Sequence, residues 1–245
     1  MAPNDYNQQQ HLIAADVELK ALQALFEGLK LRGLLSFFFF FFFPVFISNT
    51  SHRCSAPPPA PSQELVHFWQ LMRNFNPHGN LNVGAFIVFG AIHIMGDRDL
   101  GTKLFIRSCY VDLFPLIEAE INQGKRALVL GTPGIGKSHL GFMILLVLVQ
   151  RGETVVLQAL GEESRILFSP QGVQRSVSLS TGFEDQLRTH TTYYIVDGMA
   201  PEKFAAKTIL LSSPRADTWD KIVKFSGTFF YVPVWTLDDM SSAVV

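Results

Sequence analysis

One eight-residue segment, Gly131-Thr132-Pro133-Gly134-Ile135-Gly136-Lys137-Ser138, constrains the fold of this 245-residue chain more than any other feature. The apolar run ALVL (127 to 130) leads into it and HLGFMILLVLVQR follows it, so a G-x-x-x-x-G-K-[ST] pattern stands between a predicted strand and a predicted helix. At ordinary residue frequencies the four fixed positions arise by chance in roughly one chain in a hundred of this length, and the correct context on both sides lowers that further. A glycine turn between a strand and a helix needs neither the Lys nor the Ser.

The residue types match a phosphate-binding loop. Glycines let the backbone curl so that successive N–H groups point at one phosphate, and the following helix adds its positive N-terminal end. Lys137 is expected to place its ammonium on the β and γ phosphates, and the Ser138 hydroxyl to ligate Mg²⁺. The nucleotide-binding positions are thus Gly131, Thr132, Pro133, Gly134, Ile135, Gly136, Lys137 and Ser138, bordered by His139 in the first turn of the helix.

A metal at Ser138 requires a carboxylate at the end of another buried strand. Tyr193-Tyr194-Ile195-Val196-Asp197 supplies one, which makes Asp197 the expected Walker B residue. Position 198 is glycine, where many ATPases of the additional-strand class carry a water-orienting glutamate; Glu202 is a candidate substitute, although a solvated loop carboxylate also describes it. The run TILLSS ends in Ser212-Ser213-Pro214-Arg215. At the tip of a strand beside the P-loop strand, Ser213 is placed to sense the γ phosphate and Arg215 to neutralise transition-state charge; a plain strand-end turn fits equally well.

The wider pattern predicts an α/β fold, a mainly parallel sheet covered by helices on both faces. Short apolar strands at 127–130, 154–160, 193–197, 207–213 and 228–235 alternate with helices at 137–151 and at DTWDKIVKF. Ahead of them, ELVHFWQLMRNF and RSCYVDLFPLIEAEINQ read as helices, Pro115 kinking or starting the second, with the apolar segment FIVFGAIHI between. Thr236 caps a further helix near the end.

Composition isolates one region that this design does not use. Seven of the 22 phenylalanines are consecutive, Phe37 to Phe43. Without them the mean hydropathy falls from +0.21 to about +0.13, ordinary for a soluble chain with a good core. An exposed run of this kind is an aggregation hazard. It is also encoded by a nearly pure pyrimidine tract, as found near intron ends, so residues 36 to 60 are expected to be a retained intron or a faulty gene model, which an intact transcript across them would overturn. Four regions result: a polar tail and amphipathic helix over 1–35, a disordered low-complexity segment over 36–62, a helical lead-in over 63–123, and a P-loop core over 124–245 that is expected to be C-terminally truncated.

Other functions find little support. Net charge is −1, from 20 Lys and Arg against 21 Asp and Glu, so no basic field recruits nucleic acid. Cys54 and Cys109 form no disulfide framework or metal spacing. The start of the chain lacks a signal peptide, and the apolar stretch from Leu34 to Ile47, broken by Pro44, is shorter than the ~20 residues of a spanning helix. Guanine-binding N-K-x-D, zinc H-E-x-x-H and G-x-S-x-G patterns are absent.

Taken in order, LFIRSCYVDLF, GTPGIGKS, YIVDG, TILLSSPR with Trp219 close behind, and YVPVWTLDD make residues 64 to 240 resemble the NTPase module shared by Crinkler effectors of oomycetes and some fungi and by the retrotransposon hot spot proteins of trypanosomatids. The resemblance implies ATP at Gly131 to Ser138, Mg²⁺ at Ser138 and Asp197, and effector or mobile-element biology, with secretion into a host cell and a nuclear location. The Crinkler header, with its L-F-L-A-K and H-V-L-V motifs, is not found, and no nuclease or kinase domain follows. The expected activity is Mg²⁺-dependent ATP hydrolysis or an ATP-driven switch, with Lys137, Ser213 and Arg215 acting on the phosphates. A non-hydrolysing nucleotide-binding or interaction protein and a small-molecule phosphotransferase are the alternatives. Besides nucleotide, a host or self protein partner fits the family.

Overall fold

A computed structural model describes residues 58–75, 82–159, 161–162, 164–179, 181–214 and 227–243. The expected polar tail and amphipathic helix over 1–35, the Phe37–Phe43 run, the DTWDKIVKF helix and Arg215 lie outside the described residues. All that follows refers to the described residues, which lie within the unit Ala56–Val245.

Its centre is a seven-stranded sheet in the order β6–β5–β4–β7–β8–β3–β9. The strands are β3 (Arg126–Leu130), β4 (Val155–Ala159), β5 (Ile166–Ser169), β6 (Gly172–Arg175), β7 (Tyr193–Asp197), β8 (Lys207–Ser212) and β9 (Gly227–Tyr231). From β4 to β9 every neighbouring pair is parallel, as short, wholly apolar runs separated by helices require. The β5–β6 hairpin adds to β4 in antiparallel fashion. This hairpin is not among the expected strands, although Ser169-Pro170-Gln171-Gly172 is a turn signal flanked by ILF and V. Phe86–Val88 (β1) and Lys103–Phe105 (β2) pair separately as a small antiparallel ribbon within the apolar lead-in.

Side chains alternate across the sheet. Ala127, Val129, Ile195, Ile209 and Leu211 face a large core shared with three helices, α1 (Gln63–Asn74), α2 (Ser108–Asn122) and α3 (Lys137–Gln150). Leu128, Tyr194, Val196 and Leu210 face a smaller cluster closed by Leu187 of the one-turn helix α4 (Glu184–Leu187) and by Met199 and Phe204 of the loop after β7. Among the described residues, therefore, the long helices lie on one face. Helix α3 is buried along almost its whole length, which its nearly uninterrupted apolar sequence demands. Helix α1 starts where Ser62 accepts a hydrogen bond from the Leu65 amide at 3.2 Å, and Trp69 fastens it to the β5–β6 hairpin by donating from Nε1 to the Ser169 carbonyl at 3.1 Å.

Pro115 neither starts nor ends α2, which runs through it. The proline and Val111, whose carbonyl loses its usual partner, both lie on the exposed side of the helix, where water can satisfy that carbonyl.

Candidate functional site

Parallel topology brings the ends of β3, β7 and β8 to one edge of the sheet. Leu130 is level with Ser212, and Asp197 with Leu211, so β8 separates the loop-bearing strand from the strand that carries Asp197. The expectation that TILLSS lies beside ALVL is met.

The loop from Gly131 to Gly136 depends on its glycines. Gly134 and Gly136 adopt φ of 78° and 97°, the left-handed region that favours glycine. A Cβ at Gly136 would also lie 2.2 Å from the Tyr110 hydroxyl. Thr132, Pro133 and Gly134 are exposed at the crest, Ile135 is buried beneath them, and His139 is exposed on the first turn of α3. The Lys137 ammonium folds back on its own loop, donating to the carbonyls of Gly131 at 2.8 Å and Thr132 at 2.9 Å. Burial holds its pKa below the usual lysine value, against the opposing pull of Asp197.

Ser138 and Asp197, 59 residues apart in the chain, are brought close enough for the Ser138 side chain to favour the ionised Asp197 carboxylate. Burial pushes the Asp197 carboxyl above the ordinary range, while the Ser138 side chain and the nearby Lys137 charge oppose the rise. Hydroxyl and carboxylate are hard oxygen donors suited to Mg²⁺, which takes few protein ligands and completes its shell with phosphate and water. No cluster of three or more His, Cys, Asp or Glu that could hold a metal occurs among the described residues. Gly198 turns with φ of 75°, a conformation in which a glutamate would be strained. Glu202 is not an idle surface carboxylate, since it accepts from the buried Arg165 at 2.7 Å. Ser213 follows directly after β8, and its carbonyl accepts from the Ser212 hydroxyl at 2.9 Å.

A second set of residues behind the loop escaped the sequence reading. Arg107, only 1% exposed, donates from Nη1 to the Ile135 carbonyl at 3.0 Å and from Nη2 to those of Pro233 and Val234 at 3.1 and 2.9 Å. Its Nε and Nη2 also reach Asp239 Oδ2, at 3.2 and 3.1 Å, and its guanidinium lies 4.5 Å from the centre of the Trp235 ring. Tyr110, one turn into α2, donates to the Gly136 carbonyl at 2.8 Å. Asp239 belongs to helix α5 (Leu237–Ala243), where it and Thr236 cap each other's amides, as the expected Thr236 cap requires. Burial works against ionisation of Asp239, yet the Thr236 amide and hydroxyl and the Arg107 guanidinium together hold its pKa below the ordinary aspartate value.

No protein-family model matches the chain. Two curated relatives, Crinkler effector proteins 15 and 16 of Phytophthora infestans, are each 26% identical over 170 residues, 65% of this chain. A Crinkler-like relationship is supported. The match spans 27% of the length of each relative. Three segments that carried the resemblance in sequence converge in space: Arg107 and Tyr110 from RSCY, Ile135 and Gly136 from GTPGIGKS, and Pro233 to Asp239 from PVWTLDD. No helix among the described residues is long and apolar enough to cross a membrane.

Proposed function

We propose that this chain is an ATP-binding P-loop NTPase of Crinkler-like type, acting with Mg²⁺ as an ATPase or an ATP-driven switch in an effector. The observation that carries the reading is the approach of Ser138 and Lys137 to Asp197, at the end of the strand next but one to the strand that leads into the glycine loop. Two oxygens suited to a divalent cation and one ammonium suited to phosphate meet at the mouth of a glycine loop. The strand order adds support, because one strand between the P-loop strand and the Asp197 strand is the arrangement of the additional-strand NTPases.

In this reading the amides of residues 134 to 138 receive phosphate oxygens, and Lys137 exchanges its two loop carbonyls for the β and γ phosphates. Ser138 and Asp197 would hold Mg²⁺, which when bound neutralises charge developing on the phosphates. Ser213 and Arg215 keep the proposed sensor and charge-neutralising roles. The relatives are named effectors, and the proposal carries that role, with action inside a host cell, to this chain.

Gly198 favours a second reading, nucleotide binding without turnover, because the residue after Asp197 has no side chain to orient water. ATP binding and phosphate release, measured together on wild type and Lys137→Ala, separate the two. Turnover in wild type that is lost in the variant identifies an ATPase, and binding without turnover identifies a switch. Transfer to a small acceptor faster than to water would favour a phosphotransferase, and a folded wild type that binds no nucleotide would end all three.

A further inference from the structure

We propose that Arg107 and Asp239 form a clamp that sets the shape of the phosphate-binding loop and couples its occupancy to the segment from Val232 to Ala243; this rests on the reading of that loop as a nucleotide site. Two consecutive loop carbonyls are held from the start of α2, Ile135 by Arg107 and Gly136 by Tyr110. All peptide bonds among the described residues are trans, so each carbonyl points opposite to the amide of the next residue in the same plane. Drawing the Ile135 and Gly136 oxygens toward α2 therefore turns the Gly136 and Lys137 amides the other way. Those are the amides that a phosphate needs.

The other end of the clamp lies on the C-terminal segment. The guanidinium that holds Ile135 also holds Pro233 and Val234 and pairs with Asp239, whose carboxylate in turn caps α5. A shift of the loop on binding phosphate thus moves a group that α5 requires. By linkage, any partner that displaces α5 changes the affinity of the loop for nucleotide by the same factor. Arg107 is in this sense a positioning residue acting through the loop backbone. Lysine, with one ammonium in place of the planar fork, cannot span these acceptors together.

The test uses hydrogen exchange and ATP titration on the whole chain, wild type against Arg107→Lys. Without nucleotide, the variant is expected to exchange its 134–138 amides about 10-fold faster, and with Mg²⁺ it should bind ATP about 10-fold more weakly. In wild type ATP should slow exchange across 237–243; in the variant that slowing should vanish. A variant that melts as wild type does, with unchanged loop exchange, unchanged affinity and an α5 still protected by ATP, overturns the clamp and leaves the nucleotide reading intact. A wild type that binds no ATP overturns the nucleotide reading, while the ligand-free loop exchange still judges the clamp. Should Arg107→Lys not fold, Tyr110→Phe leaves the buried pair in place and tests the loop end: faster exchange at Lys137 supports the proposal, and unchanged exchange contradicts it.

Discussion

Among the described residues, Arg107 and Arg165 are the two largest side chains buried to within 1% of full enclosure, and they lie against opposite cores. Arg107 packs with Tyr110 and Trp235 beside the helical core; Arg165 lies over Phe204 beside the smaller cluster. Each guanidinium donates from all three of its nitrogens. Arg165 donates to Gln158 at 3.1 Å, to the Gly182 carbonyl at 3.1 Å and to Glu202 at 2.7 Å. Their carboxylate partners differ. Asp239 is 9% exposed in its side chain, whereas Glu202 and Glu184 beside Arg165 are 47% and 43% exposed. The Arg107 pair is closed off from water and reaches the loop from Gly131 to Gly136, while the Arg165 pairs sit at the surface and hold the β5–β6 region to the loop after Asp197.

Removing each guanidinium should show the largest contrast. Arg107→Ala strands a buried carboxylate, and breaking such a pair costs about 3–5 kcal/mol. Arg165→Ala leaves two carboxylates that return to water, and its loss, mainly packing and the Gln158 hydrogen bond, should be about 2 kcal/mol. Urea denaturation of both variants checks the order. An equal loss would mean that carboxylate burial does not distinguish the two sites.

The partner carboxylates sharpen the contrast at a smaller scale. Asp239→Asn leaves the Arg107 charge buried and should cost about 3 kcal/mol, against less than about 1 kcal/mol for Glu202→Gln. If Glu202→Gln also abolished phosphate release without changing stability, Glu202 would belong to the chemistry and not only to the Arg165 anchor.

The topological half of this comparison was legible in the sequence, and the buried pairs were not. Short apolar runs between glycines and helices specify the parallel strands, and the G-x-x-x-x-G-K-S spacing specifies the turn between ALVL and α3. The approach of Ser138 to Asp197 follows from placing the loop after one parallel strand and the carboxylate at the end of another on the same edge of the sheet. Arg107 and Asp239 are 132 residues apart, and in RSCY and TLDD each looks like an ordinary helix-end polar residue. Only the crossing of α2 behind β9 makes them partners. The β5–β6 hairpin was missed because four-residue strands such as GVQR are too short for alternation to register.

A smaller effect separates the two sites by pH. Asp239 has a folded pKa below its ordinary value of 3.8, so its contribution is present above that pH and is lost as pH falls through the lower folded value. The difference in melting temperature between wild type and Asp239→Asn should therefore be full at pH 7 and narrow below about pH 3.8. A gap that stays constant through that range would show that the Asp239 charge does not hold the clamp.

The central claim is that the loop around Lys137 binds a nucleoside triphosphate. Calorimetric titration of ATP with Mg²⁺ into wild type and Lys137→Ala, each verified as folded by its melting curve, tests it most directly. The account predicts saturable binding by wild type, weakened at least about 100-fold in the variant, which corresponds to about 2.7 kcal/mol. Equal affinity in the two proteins, or none in a folded wild type, would contradict it.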